Sequence, residues 1–208
     1  GFAALLVDTI FSSDGVYADP AGFLAPAVKL VHERQGLFIA DEVQPGFGRT
    51  GADMWGFARH GVIPDIVTMG KPMGNGFPMG GAAMRAALLD RFAAEVKYFN
   101  TFGGNPVAAA AGLAVLDVIE DEGLIQNARE VGRYLMDGLR EIGNRHMEIG
   151  DVRGAGLFIG LEFVRGRDGK EPAPELAGLL INGLRQRGFL IGAAGPFGST
   201  LKIRPPLC

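Results

Sequence analysis

Two residues in this chain could do chemistry together. Asp41 closes the apolar run Leu37-Phe38-Ile39-Ala40, and Lys71 follows the run Asp65-Ile66-Val67-Thr68-Met69-Gly70. Both runs are short, largely apolar and bounded by turn residues, which is the pattern of buried parallel strands. In an open α/β sheet, ligands sit just beyond the carboxyl ends of the strands. The carboxylate and the amine are therefore expected to face one crevice. An amine attacks a carbonyl carbon only when neutral, and a free lysine is protonated at neutral pH. Burial and neighbouring positive charge favour the neutral form. At the end of an apolar strand, Lys71 is expected to be partly desolvated. Pro72 biases it towards an extended backbone that holds the side chain out. Each residue alone also has an ordinary reading, as a surface lysine in a turn or a capping aspartate.

The residues around this pair form longer motifs. They are Ile39-Ala40-Asp41-Glu42-Val43-Gln44, the tail Gly46-Phe47-Gly48-Arg49-Thr50-Gly51, and the turn Gly70-Lys71. Further on come Asn100-Thr101-Phe102-Gly103-Gly104-Asn105-Pro106 and Gly150-Asp151-Val152-Arg153-Gly154. In this order and spacing the chain resembles the class III (omega-type) aminotransferases, which are pyridoxal 5'-phosphate (PLP) enzymes of fold type I. The family chain is much longer, and the resemblance is to its second half without the last helix. It implies an α/β fold: part of a large domain with a mostly parallel sheet, then a small C-terminal α+β domain. It also implies transfer of an amino group from an amine or amino acid to a keto acid or aldehyde through a Lys71 Schiff base.

The resemblance assigns roles residue by residue. Asp41 would hold the proton on the pyridine nitrogen, which keeps the ring electron-poor. Val43 would pack on one face of the ring, and Gln44 would donate to its phenolic oxygen. Thr101 would reach the cofactor phosphate of a neighbouring subunit, so the active site would be shared across a homodimer. Glu42 falls on the opposite side of the backbone from Asp41 and is expected to be structural. Two positions depart from the family pattern. Lys202 stands where many members have the arginine that grips the substrate carboxylate, with Arg204 two residues on, and Asp8 stands where many have glutamate. Lysine lacks the planar fork that matches a carboxylate, and either cation could serve a phosphate. Thr68 to Gly76 and Tyr98 to Pro106 also look like the phospho-lyases that eliminate phosphate and ammonia from phosphorylated amines such as ethanolamine phosphate. That is the alternative reaction. The phosphate-binding turn of the family would lie before Gly1, so these residues alone are expected to be inactive.

Other elements must position these residues. Ala3 to Val7 reads as a strand ending at Asp8, with Ser12-Ser13-Asp14-Gly15 as the loop after it. Phe23 to Gln35 carries apolar residues at helical spacing, with Gly36 as its stop. Asp53 to Gly61 reads as a short helix or turn. Ala82-Ala83-Met84 reads as a strand, with a helix through Phe92. Asn105 caps a helix that begins at Pro106. A domain boundary is expected near Gly123, giving units 1–123 and 124–208. The second unit would hold a helix from Leu124 to Ile142, a strand from Gly156 to Val164, a polar loop from Gly166 to Pro174 and a helix from Glu175 to Arg187. Strands would follow at Phe189-Leu190-Ile191 and Leu201-Lys202-Ile203.

Composition bounds the function. With 208 residues, 48% apolar and 21% charged, the chain can bury a sizeable core. A net charge of −3 gives no basic footprint for nucleic acid, and no apolar run reaches the length of a membrane span. One cysteine, Cys208, permits no internal disulfide and suits a reducing, cytoplasmic setting. His32, His60 and His146 lie far apart, so no metal site is expected and packing or surface roles are.

Overall fold

A computed structural model describes residues 2–208. Its first half is a four-stranded sheet in the order β1-β2-β3-β4, formed by Ala4–Asp8, Leu37–Asp41, Ile66–Met69 and Gly81–Met84. β1, β2 and β3 run parallel and β4 is antiparallel to β3. Helix α1 (Ala25–Glu33) crosses between β1 and β2, and its buried Val28 and Val31 face the sheet. Phe38 and Ala40 of β2 are fully buried beside Val28 and Val62, so the central strand is apolar on the face that α1 covers.

The left-handed residue that ends α1 is Gln35, at φ +59°, and not Gly36. Gly36 is needed for another reason. A Cβ there would lie 2.7 Å from the Phe2 ring, so the chain has room only for a hydrogen as it enters β2.

After β4 come α2 (Ala86–Glu95), α3 (Pro106–Asp121) and α4 (Leu124–Arg145). Asn105 caps α3, its Oδ1 accepting from Ala108 N at 2.9 Å. Gly123, at φ +61°, turns the chain between α3 and α4. The second sheet is antiparallel, in the order β5-β6-β8-β7, formed by Ile149–Ala155, Phe158–Phe163, Thr200–Ile203 and Gly192–Ala194. Helix α5 (Pro174–Gln186) packs on it through the fully buried Ala177.

One strand is added here and one expectation is corrected. β5 was not anticipated, because its glycines and charges mask any alternation; Gly154 takes φ +144° within it. Phe189-Leu190-Ile191 is not a strand, and β7 begins at Gly192. Gly188 at φ +86° stops α5, and the following residues are still a connector that leaves Leu190 exposed.

Candidate active site

The parallel register lines up three strand ends. Asp8 pairs with Asp41, and Asp41 with Thr68. Three residues past Thr68 stands Lys71. Asp41 ends β2 and Lys71 opens the turn just past the end of β3, so both stand at the same carboxyl edge of the sheet. Asp41 is half-buried, and its Oδ1 accepts from Val43 N at 3.0 Å and Thr68 Oγ1 at 3.5 Å. Among the described residues its other oxygen has no partner. That leaves one carboxylate oxygen for a protonated nitrogen, the donor that a PLP ring presents. Lys71 has no hydrogen-bond or ion-pair partner among the described residues either, so the pair fits that group chemically. Val43 packs against Gly70, where a Cβ would meet its Cγ2 at 3.5 Å.

The backbone at Lys71 differs from expectation. Lys71 is not extended; it sits at φ +37° and opens a 3₁₀ turn, Lys71–Gly74, closed by Met73 N donating to Gly70 O at 2.9 Å. A non-glycine residue before proline is strained there. The turn opens the connection of residues 70–80 that leads from β3 back to the antiparallel β4. Lys71 is also exposed in this structure and not partly desolvated.

Gln44 is engaged at both ends of its amide. Its Nε2 donates to Ser13 Oγ at 3.3 Å, and its Oε1 accepts from Arg204 at 3.4 Å. The structure therefore brings Gln44 to Arg204, across 160 residues of sequence. Lys202, on β8, lies with its Nζ 5.4 Å from the centre of the buried Phe158 ring, and the Arg204 guanidinium lies 5.8 Å from it. Burial, and next the charge of Arg204, hold the Lys202 ammonium below its ordinary pKa; Lys71 pushes the same way and Asp8 opposes it. Lys202, Arg204 and Lys71 therefore share one field. Thr101 is not brought to this cluster by any contact. It lies on an exposed loop in which Asn100 Oδ1 accepts from Phe102 N and Gly103 N.

Glu42 faces the other way and is fully buried. Its carboxylate accepts from Gly56 N at 2.7 Å, Phe57 N at 2.9 Å and Thr9 Oγ1 at 3.2 Å. Burial pushes its pKa up to about 7 against the pull of those hydrogen bonds. His60 is buried too, with its Nε2 2.7 Å from Thr9 O, and His32 pairs with Asp65. His60 is a packing residue, whereas His32 stands at the surface.

Two residues that stand out in the sequence, Asp8 and Arg153, have structural roles that the sequence does not assign. Asp8 organises the loop after β1, accepting from Ile10 N and Ser12 N at 3.0 and 2.9 Å. Arg153, nearly buried, donates from Nε to Gly15 O and Val16 O at 3.0 Å each, and its guanidinium lies 4.4 Å from the Tyr17 ring centre. It thereby ties the Ser13 loop to the second sheet. The signal available was the loop's place at a strand's carboxyl end.

Comparison with known proteins gives the family. The family model "Aminotransferase class-III" matches residues 1–208. The chain is 44% identical to ethanolamine-phosphate phospho-lyase homolog 1 of Caenorhabditis elegans, covering 100% of this chain and 45% of that protein. It is 46% identical to the mitochondrial alanine–glyoxylate aminotransferase 2 homolog 2 of Arabidopsis thaliana, covering 99% and 43%. A phospholyase from Arthrobacter, solved in complex with phosphoethanolamine, superposes with a TM-score of 0.95 at 45% identity, over 100% of this chain and 49% of that one. The chain thus spans about half the length of the relatives it matches. It belongs to the class III aminotransferases, whose cofactor is pyridoxal phosphate.

Proposed function

We propose that the protein containing this chain transfers an amino group from an amine or amino acid to a keto acid or aldehyde. The observation that supports this reading is Asp41 at the end of β2 beside Lys71 just past the end of the neighbouring β3. PLP, when bound, supplies an aldehyde for amines and a ring that withdraws electrons from the carbon next to the nitrogen. Lys71 would hold it covalently, the free Asp41 oxygen would keep its ring nitrogen protonated, and Val43 would pack on the ring. Gln44, fixed by Ser13 and Arg204, would present its amide beside the ring. With substrate in place, Lys71 Nζ as free base takes the proton from the substrate carbon and returns it as an acid.

Lys71→Ala removes an absorbance band near ~420 nm, the value for a protonated lysine adduct of the cofactor. Transfer is measured as alanine formed from pyruvate in the presence of an amine donor. A second reading, phosphate elimination, is favoured by the cationic patch of Lys202, Arg204 and Lys71 and by relatives named phospho-lyases. Inorganic phosphate released from ethanolamine phosphate with no amine acceptor present would replace the first reading with the second.

We further infer a homodimer with a shared site. Tyr98, Phe99 and Phe102, exposed by 69, 84 and 80%, surround Thr101 and call for an apolar cover. Activity regained on mixing Lys71→Ala and Thr101→Ala subunits supports this; no regain rejects it. We place the domain boundary at Gly123, between α3 and α4, which limited proteolysis checks. No helix among the described residues is long and apolar enough to cross a membrane. Our reading of a cytoplasmic setting rests on the single thiol, and cell fractionation tests it.

A further inference from the structure

Away from the sheet edge, four arginines line one cavity of about 330 Å³. Arg129, Arg133 and Arg140 come from α4, and Arg59 comes from the 3₁₀ turn Gly56–His60. Among the described residues no acidic one lines it. Spacings of four and seven residues put the three α4 arginines on one helix face. Together they span roughly 16 Å along the axis.

That face is firmly seated. A Cβ on Gly132, between the arginines, would lie 2.2 Å from Gly156 O, so the helix backbone rests directly on the turn between β5 and β6. The guanidinium groups thus project from a rigid floor, not from a loop.

The charges are unevenly satisfied. Arg59 is paired with Asp19 and donates to Ala18 O. Arg140 lies 3.7 Å from Asp137 on its own helix. Among the described residues Arg129 donates only to backbone, at Gly51 O (2.7 Å) and Ala52 O (3.2 Å), and its charge meets no carboxylate there. Arg133 has no hydrogen-bond or ion-pair partner among the described residues. Two positive charges are thus left over, four residues apart. The wall also contains an unpaired polar group: Thr50, 3% exposed, has an Oγ1 without a partner among the described residues.

We propose that this cavity is a binding site for a small polyanion, distinct from the site at Asp41 and Lys71. Guanidinium forks match the oxygens of phosphate and carboxylate alike. The spread of the arginines and the volume suit a molecule with two or more anionic groups, not a single phosphate. A diphosphate and a tricarboxylate are the two chemical sources.

The test is calorimetric titration of the full-length protein, with and without added PLP. Inorganic pyrophosphate and citrate are used separately at fixed ionic strength. The proposal expects saturable binding of at least one of them, weakened about tenfold or more, or ~1.4 kcal/mol, by Arg133→Gln. Arg133 is exposed, so this change leaves the fold and the basal turnover intact. Lys202→Ala leaves the binding unchanged, which separates this cavity from the Lys202 patch. The proposal is overturned if neither anion binds below about 10 mM, if binding survives Arg133→Gln, or if it is lost in Lys202→Ala. None of these readouts uses turnover, so they stand apart from the reading of the sheet-edge site.

Discussion

Glu42 provides a stability switch whose sign and size can be worked out. Its carboxyl is fully buried and titrates near pH 7, against 4.5 for the ordinary group. Because burial disfavours the charged form, the folded state holds its proton more tightly than the unfolded state does. A raised pKa contributes stability that is complete below pH 4.5 and is lost as pH rises through 7. The full shift corresponds to about 3 kcal/mol, and about 2.5 kcal/mol of it falls between roughly pH 5 and pH 8.5.

Replacing Glu42 by glutamine removes this proton linkage. It also changes the hydrogen bonds. Gly56 N and Phe57 N both donate to the carboxylate, one to each oxygen. An amide can accept only one of them and turns its NH₂ towards the other, at a cost of about 1–3 kcal/mol. Glu42→Gln should therefore be the less stable protein at pH 5, and the gap should close or reverse by pH 8.5. The assay is urea unfolding of cofactor-loaded full-length protein at several pH values, read as variant minus wild type so that other groups cancel. A difference that stays flat across this range would show that Glu42 titrates normally in the folded state, and the reasoning would fail.

The other predictions concern neighbouring parts of the structure. Arg153→Met leaves Glu162, Gly15 O and Val16 O without their partner and should cost about 3–5 kcal/mol; Arg153→Lys should not restore it, which thermal unfolding checks. Gly132→Ala drives a Cβ into Gly156 and should sharply lower soluble yield, whereas Gly138→Ala on the same helix meets open space and should gain up to about 1 kcal/mol. Lys202→Ala should raise KM for an anionic substrate about tenfold, or ~1.4 kcal/mol, with kcat little changed; a fall in kcat alone would remove Lys202 from the binding of that substrate.

Much of this was readable from residue order. The strand endings at Asp8, Asp41 and Met69 follow from apolar runs broken by polar and glycine residues, and the cap at Asn105 from a side chain placed before Pro106. The inward turn of Glu42 follows from the alternation of successive side chains along an extended backbone. Such features depend on neighbours in sequence, so pattern reports them.

What only the tertiary structure decided are long-range choices that no local pattern encodes. Lys71 adopts φ +37° against the preference set by Pro72, in the turn where the chain leaves β3. Gln44 meets Arg204, and Arg153 holds Gly15, across 160 and 138 residues. β5 exists because β6 supplies its hydrogen bonds along one edge, not because its residues favour a strand. The arginines of α4 could be assigned to one helix face from their spacing alone. That this face closes on Gly156 and Thr50 to form a cavity depends on how the second sheet docks, and docking is fixed by packing that involves the whole chain.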